Sequence, residues 1–289
     1  MGVLDVGFAL HDDLPFWDLQ PSLPAANHGN HVAGILCAKH DGSGTSGVLP
    51  TCLVVARAPD FAGQPDLYGI KPDTMVAVLN AFEEIVEKRD EIKAVNISLG
   101  YNWRKRFNLT TLDDATKTNV ASIAAQLSGI YQIAKERDIL IVSAAGNDSW
   151  GLDPKLEAAW ASPINFASVA LCKSKGFCNG VVIEAHDEDY KHADFSNIGG
   201  HLSCPGVDIL STVALNNNNE HSMTAYATMS GTSMASPYCA GGLVLLSMVR
   251  PKYKVPEIVG CAKNSGRPTG AFSAPALDLT AALSHCPPR

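Results

Sequence analysis

The 289-residue sequence is short of charged and aromatic side chains, which make up 18% and 7% of it. Soluble domains are about one quarter charged, so this composition predicts a large interior relative to the surface and excludes general disorder. Acidic residues outnumber basic ones by 29 to 22, for a formal charge of -7. Without a basic excess to neutralise phosphates or anionic headgroups, neither nucleic acid nor a membrane is an expected partner.

Several sequence motifs are also missing. No uncharged apolar run reaches the roughly 18 residues that cross a bilayer, and the first residues lack the basic segment of a secretory signal. Neither Cys-x-x-Cys nor His-Glu-x-x-His occurs, which argues against the common zinc sites. The absence of Gly-x-Ser-x-Gly disfavours a nucleophile of the α/β-hydrolase type.

The cysteines number eight, and two interpretations of them stay open. They are either small buried hydrophobic residues or a framework of disulfides. Cys172 and Cys178 enclose a short loop and are the first candidate pair, with Cys261 and Cys286 as the second.

Short apolar runs alternate with longer segments of helical periodicity, a pattern typical of a parallel sheet covered by helices on both faces. The predicted strands are Gly2–Val6, Leu53–Ala58, Ala94–Leu99, Ile139–Ala144, Phe166–Leu171 and Val207–Thr212. The predicted helices are Thr74–Arg89, Val120–Arg137 and Met234–Val249, the last buried all round. With no repeat or linker in view, we predict one α/β domain over residues 1–289.

A serine stands at the start of the last predicted helix, within the segment GTSMASP. The helix dipole and the free N–H groups there favour negative charge, which suits Ser233 as an acyl-transfer nucleophile. The alternative is that Ser233 or Ser230 only caps the helix.

An aspartate and two histidines supply further candidates. His28 and His31 are three residues apart, which could suit metal ligands, but no Cys or carboxylate stands at a companion spacing. Taken alone they would be structural or surface residues, although a neutral imidazole at a helix start also suits a general base. Asp5 ends a buried strand, where a charge needs a partner, although it could simply cap a turn. Asn147 follows another strand in SAAGND and could donate to an oxyanion or be an ordinary turn residue.

These segments follow one another as Asp, His, Asn and Ser, and the chain resembles the subtilisin-like serine proteases, the subtilases. The order is the one known for subtilisin. The resemblance extends to about Leu246 and rests on VLDVG, HGNHVAG, NISLG, SAAGND, FSNIGGHLSCPGVDILST and SGTSMASPYCAG. It implies a three-layer α/β/α sandwich with a mainly parallel central sheet, in agreement with the periodicity.

The resemblance also implies roles for individual residues. Ser233 would be the nucleophile, His28 the general base, Asp5 the carboxylate that orients His28, and Asn147 an oxyanion donor, while His31 would be structural. The implied activity is that of a serine endopeptidase with an acyl-enzyme intermediate. Two other activities stay open, a catalytically impaired fold that binds peptides and an esterase or peptide-processing acyl transferase. Substrate backbone would bind at Ser98, Leu99 and Gly100 and at Ala144, Ala145 and Gly146.

For cofactors and partners the resemblance gives general expectations. No cofactor and no catalytic metal are expected, and Asp41, in a glycine-rich loop, is the one hint of a structural calcium ion. The expected partner is a polypeptide substrate, with a propeptide or an inhibitor as further candidates, and the protein is expected to be a monomer. Secretion is the family's usual location, with a cytoplasmic location as the alternative.

The chain departs from the family pattern at three places. Only four residues precede Asp5, so we expect the first strand to be poorly held. Insertions are expected at Tyr101–Thr118 and Gly180–Tyr190. The acidic run Glu184–His192 is expected to be solvated surface.

Overall fold

A computed structural model describes residues 1–21, 27–59, 72–88, 91–100, 112–176, 178–217 and 220–289. Seven strands within these ranges form one sheet in the order β2-β3-β1-β4-β5-β6-β7, and each neighbouring pair is parallel. These strands are β1 (Gly2–Leu4), β2 (Phe16–Leu19), β3 (Val54–Arg57), β4 (Ala94–Ile97), β5 (Leu140–Ala144), β6 (Gly180–His186) and β7 (Leu202–Pro205).

Helices cover both faces of this sheet. In chain order they are α1 (His28–Cys37), α2 (Pro72–Lys88), α3 (Asp114–Gln126), α4 (Ser128–Glu136), α5 (Pro163–Phe166), α6 (Cys172–Lys175), α7 (Thr232–Val249), α8 (Val255–Ser265) and α9 (Leu279–His285). The helices α1, α7 and α8 share one hydrophobic core with the sheet, whereas α2, α3 and α4 share another. The predicted three-layer α/β/α sandwich is therefore confirmed.

Alternation along the strands explains why two cores exist. Successive side chains of a strand point to opposite faces. Val3 accordingly joins the core of α1 and α7, while the next residue, Leu4, joins the core of α2 and α3. In β5, Leu140 and Val142 lie on the first face and Ile141 on the second. Strands that are apolar at every position are thus buried on both sides.

The predicted strand Phe166–Leu171 is wrong, because this segment is helical. Ser162 caps α5 by accepting the backbone N–H of Asn165, and Pro163 occupies the first turn, where its missing N–H costs little. The helix then continues through a π-helical stretch, Ala167–Leu171. An apolar run of this length is compatible with either a strand or a buried helix segment, and the capping residues at Ser162 and Pro163 favour the helix.

The expected insertion at Gly180–Tyr190 begins with strand β6, which lies between β5 and β7 in the sheet. Glu184 lies in β6 with 0% of its surface exposed, and His186 is 3% exposed. The Glu184 carboxylate accepts the backbone N–H groups of Gly200 and Ala274, and His192 Nε2 lies 3.1 Å from Glu184 Oε2. The acidic run is therefore partly core. Residues 101–111 of the other insertion lie outside the described residues.

Val207–Thr212 was expected to join the parallel sheet, but it leads into a separate antiparallel pair. This pair consists of β8 (Ile209–Asn217) and β9 (Glu220–Met229). It lies over α1, where Ser211 donates to the carbonyl of His31 and Thr212 to the carbonyl of Asn30, each at 2.8 Å. The hairpin thereby holds the helix that begins at His28.

The first strand is firmly held, contrary to expectation. All three residues of β1 are buried, and β1 pairs with β3 on one side and with β4 on the other. Its central place in the sheet compensates for its short length.

The three predicted helices are close to those observed. Thr74–Arg89 corresponds to α2, with Arg89 outside the described residues, and Met234–Val249 corresponds to α7. Val120–Arg137 is instead two helices, α3 and α4, separated at Leu127. Among the described residues α7 alone is long and apolar enough to cross a bilayer, which the sequence analysis did not anticipate. It is 67% buried inside the protein.

All eight cysteines are paired, which supports the disulfide framework. The two expected pairs are confirmed, and the complete set is Cys37–Cys52, Cys172–Cys178, Cys204–Cys239 and Cys261–Cys286. Cys204–Cys239 joins β7 to α7.

Removing the Cys204–Cys239 disulfide, whose cysteines are 35 residues apart, should lower the free energy of unfolding by about 4 kcal/mol. Removing Cys172–Cys178, with a separation of 6, should cost about 2 kcal/mol, because a shorter closed loop constrains the unfolded chain less. Urea denaturation of the two paired Cys→Ala variants measures both losses. Equal losses, or the reverse order, would contradict this ranking.

Candidate active site

The strand order reverses between β1 and β4. The chain builds β2 and β3 on one side of β1 and then crosses over to build β4 to β7 on the other. In open parallel sheets, ligands bind at the carboxyl ends of the strands at such a reversal. Asp5 follows β1 and Ser98 follows β4, and the last residues of these two strands, Leu4 and Ile97, are paired in register. The topology therefore brings two predicted site residues to this point.

Asp5 and His28 are in direct contact there. Asp5 is completely buried, and its Oδ1 accepts the backbone N–H of Val6 at 2.7 Å and the Nδ1–H of His28 at 2.8 Å. A buried carboxylate needs such partners to offset its lost hydration. With the proton on Nδ1, Nε2 of the neutral imidazole keeps its lone pair. The His28 side chain is 30% exposed, so this nitrogen can serve as a base.

The two histidines of α1 have opposite pKa shifts. The negative charge of Asp5 raises the pKa of His28 above the ordinary value of 6.5, although burial acts in the other direction. Burial lowers the pKa of His31 below 6.5. Nε2 of His31 donates to the carbonyls of Ile209 and Ala227, both at 3.0 Å. His31 therefore joins α1 to the β8–β9 hairpin and lies away from solvent.

Ser233 is the second residue of α7 and is 9% exposed. Its hydroxyl donates to the Ser98 carbonyl at 3.4 Å, and Ser98 Oγ donates to the Ser233 carbonyl at 3.0 Å. In the described part of the chain, no hydrogen bond joins Ser233 to His28. The serine is thus anchored at the end of β4, beside the strand that carries Asp5, with its hydroxyl turned toward Ser98.

Asn147 lies exposed in the turn that follows β5. Its Oδ1 accepts both the backbone N–H and the hydroxyl of Thr232, each at 2.9 Å. Its Nδ2 lies 3.3 Å from the point that a Cβ on Gly231 would occupy. Because the oxygen is fixed by Thr232, the N–H₂ group is left as a donor beside the start of α7, next to Ser233.

The six residues expected to bind substrate backbone lie on two neighbouring strand ends. The strands β4 and β5 pair with Ile97 opposite Ser143. Ser98, Leu99 and Gly100 follow the first of these strands, Ala144 ends the second, and Ala145 and Gly146 follow it.

Ala161 lies between these two segments and was missed by sequence reasoning. A Cβ on Gly100 would lie 3.6 Å from the Ala161 carbonyl oxygen, and a Cβ on Gly146 would lie 2.9 Å from the Ala161 Cβ. Ala161 therefore limits the space between the two strand ends. It follows a short 3-10 turn, Ala158–Trp160, and no motif marks it in the sequence.

A buried chain of polar side chains supports Ser233, and it too was missed. Ser236 Oγ donates to Asn96 Oδ1 at 2.6 Å, and Asn96 Nδ2 donates to Ser98 Oγ at 2.9 Å. Ser98 then donates to the Ser233 carbonyl. The sequence feature that could have revealed this network is Asn96, because an asparagine inside an otherwise apolar, buried strand requires hydrogen-bond partners.

The loop considered for calcium contains a local hydrogen bond. Asp41 Oδ1 accepts the backbone N–H of Ser43 at 3.0 Å and so closes a turn. Across the described ranges, no three His, Cys, Asp or Glu side chains lie close enough together to hold a metal ion. Calcium at this loop stays a prediction supported by one carboxylate.

The model of a known protein family matches residues 18–273 of this chain, and that family is the subtilase family. The chain belongs to the subtilases. The matched range includes His28, Asn147 and Ser233, whereas Asp5 precedes it and is connected to the site by its contact with His28.

The chain is similar in sequence to proteins named as a protease and as a subtilisin. The chain is 30% identical over 261 residues to the minor extracellular protease Epr of Bacillus subtilis, an alignment that covers 87% of this chain and 32% of Epr. It is 26% identical over 280 residues to subtilisin BL of Lederbergia lenta, covering 94% of this chain and 84% of the relative. This subtilase thus spans about a third of the length of Epr.

Solved structures share the fold. The prenylagaramide maturation protease PagA superimposes with a TM-score of 0.68 at 22% identity, covering 99% of this subtilase and 93% of PagA. A cold-adapted subtilisin-like serine proteinase gives a TM-score of 0.60 at 19% identity, with 96% and 85% of the two chains covered.

The pKa shifts of the two α1 histidines lead to a measurable difference. In ¹⁵N NMR titrations of the imidazoles, His28 should have its midpoint above pH 6.5 and His31 below it. The variant Asp5→Asn should lower the midpoint of His28, because the charge that stabilises its protonated form is gone. A His28 midpoint that is the same with and without the Asp5 charge would contradict this electrostatic coupling.

Proposed function

We propose that this subtilase is a serine endopeptidase in which Asp5, His28 and Ser233 form the catalytic triad. The observation that carries the proposal is the hydrogen bond from His28 Nδ1 to the buried Asp5 carboxylate. It leaves Nε2 as a base at the strand ends where Ser233 is anchored. We also propose that residues 1–289 form a single peptidase domain.

The reaction follows from these positions. The Ser233 hydroxyl turns from Ser98 toward His28, as apo hydrogen bonds of catalytic groups often tighten only with substrate bound. Ser233 Oγ attacks the peptide carbonyl carbon while His28 Nε2 takes its proton. The tetrahedral oxyanion accepts hydrogen bonds from Asn147 Nδ2 and the Ser233 backbone N–H.

The second half of the reaction restores the enzyme. The C–N bond breaks as His28 returns its proton to the leaving amine, and the acyl group stays on Ser233. Water then attacks the acyl-enzyme and gives its proton to His28. The bond between the acyl carbon and Ser233 Oγ breaks as His28 returns that proton to Oγ, which releases the acid product and regenerates Ser233. Asp5 stays ionised throughout and stabilises the imidazolium that forms in each half.

The substrate is proposed to be an extended polypeptide. Segment 98–100 and segment 144–146 offer main-chain groups at two strand ends, where substrate can pair as an added strand. Ala161 leaves room between them for a side chain of limited size, so we propose an apolar or broad preference at the residue before the scissile bond.

Location and partners are proposed from the relatives and the disulfides. Four disulfides favour an oxidising compartment, and one relative is named as an extracellular protease, so we propose that this protein is secreted. We propose that it acts as a monomer without a cofactor, and that a propeptide or inhibitor can occupy the same cleft.

A fluorescent fluorophosphonate tests the nucleophile. The wild type should be labelled and should digest an unstructured protein, whereas Ser233→Ala and His28→Ala should be neither labelled nor active. Ser230→Ala, three residues upstream in the same segment, is the matched control and should be labelled normally. A folded wild type that is not labelled would favour the impaired, peptide-binding alternative, and ester hydrolysis without peptide cleavage would favour the esterase.

The variant Asn147→Ala tests the oxyanion donor. Loss of one such donor costs about a hundred- to a thousandfold in kcat, a magnitude known from a subtilisin, and KM should change little. Steady-state kinetics on a peptide anilide, with active sites counted by the fluorophosphonate, measure both constants. An unchanged kcat would remove Asn147 from the mechanism.

A further inference from the structure

Asn197 lies beneath the turn that carries Asn147. It is 1% exposed and belongs to the segment between β6 and β7, far in sequence from this turn. Its backbone N–H donates to the carbonyl of Gly146 at 3.0 Å.

The side chain of Asn197 bonds to the turn on both sides of Asn147. Its Nδ2 donates to the carbonyl of Ala145 at 3.0 Å. Its Oδ1 accepts the backbone N–H of Asp148 at 3.2 Å and the hydroxyl of Ser149 at 2.8 Å. One buried amide thus satisfies polar groups before and after Asn147, and each of them would be costly to leave unpaired.

The shape of the turn depends on this contact. Gly146 has a φ of +98°, and a Cβ at this position would lie only 2.5 Å from Asn197 Nδ2. Only glycine adopts this backbone conformation freely and lets the amide approach so closely. The backbone on the amino side of Asn147 is therefore built against Asn197.

Thr232 and Asn197 both hold the Asn147 amide. Thr232 binds its Oδ1 and so sets the rotation of the side chain. Thr232 Oγ1 also accepts the backbone N–H of Gly146 at 3.1 Å, which holds the turn at one point on the amino side of Asn147. Asn197 holds the backbone on both sides of Asn147, through the carbonyls of Ala145 and Gly146 and the N–H of Asp148.

We infer that Asn197 is a positioning residue that places the Asn147 amide where the oxyanion forms. The inference rests on the proposed function, since it assigns a catalytic consequence to the geometry of the turn. Among the described residues Asn197 contacts neither Ser233 nor His28. A substitution of Asn197 is therefore expected to change kcat only by changing the geometry of the turn that carries Asn147.

A double-mutant cycle tests whether Asn197 acts on kcat through the position of Asn147. In the wild-type background, Asn197→Ala should lower kcat about ten- to a hundredfold with KM changed less than about twofold, because a displaced donor stabilises the oxyanion poorly. In the Asn147→Ala background the same substitution should change kcat less than about twofold, since the donor it positions is already gone. An equal loss of kcat in both backgrounds would overturn the inference.

A matched variant separates positioning from general destabilisation. Asn179 is also 1% exposed, and its Nδ2 donates to the carbonyls of Ala134 and Ile139, at the opposite end of β6. Asn179→Ala should lower stability and leave kcat per active site unchanged. If it lowers kcat as much as Asn197→Ala, the effect is not specific to the turn and the inference fails. Asn197→Ser, which replaces the amide with one shorter polar group, takes the place of Asn197→Ala should the latter not fold.

Amide exchange by NMR gives a readout that needs no activity. The Asp148 N–H should exchange at least about tenfold faster in Asn197→Ala than in the wild type and should be unchanged in Asn179→Ala. Unaltered exchange at Asp148 would overturn the inference even for an active enzyme. If the wild type shows no hydrolysis that depends on Ser233, the proposed function fails, and the exchange rates alone then decide whether Asn197 holds this turn.

Discussion

The buried carboxylate of Asp5 is the constraint on which the rest of the site depends. A charge with no exposed surface at the end of a central strand needs hydrogen-bond donors, and the Val6 N–H and the His28 imidazole both donate to Asp5 Oδ1. This requirement fixes the start of α1 over the end of β1. It also sets the tautomer of His28 and raises its pKa, so the electrostatics of the base follow from the position of one strand.

The remaining groups are held by contacts between residues that are distant in sequence. Thr232 bonds to Asn147, Ser98 bonds to Ser233, and Asn197 bonds to both sides of the Asn147 turn. Each contact joins a loop after one strand to a loop or helix start elsewhere. The parallel sheet makes this possible, because it gathers the carboxyl ends of all its strands along one edge. A rigid sheet and two helix starts thus preorganise groups that no single segment could position.

The positions of the four candidate catalytic residues, and the alternation of strands and helices, were readable because they rest on local rules. Small residues before an apolar helix and polar residues at the ends of apolar runs are visible in the sequence itself. Phe166–Leu171 was misread as a strand because an apolar run of this length fits a buried helix equally well, and β6 was misread because its buried Glu184 and His186 are polar. Ser162 caps the first segment as a helix, and Glu184 is buried in β6 because the backbone N–H groups of Gly200 and Ala274 donate to its carboxylate.

The sequence by itself determined the fold class, the family and the candidate chemical groups, since these depend on periodicity and on short motifs. Only the tertiary structure decided how the groups are supported. It placed β1 between β3 and β4, brought Asn197 beneath the Asn147 turn, and turned the Ser233 hydroxyl toward Ser98. The physical reason is that hydrogen bonds to main-chain groups leave no pattern in the sequence, because every residue but proline offers the same donor and acceptor.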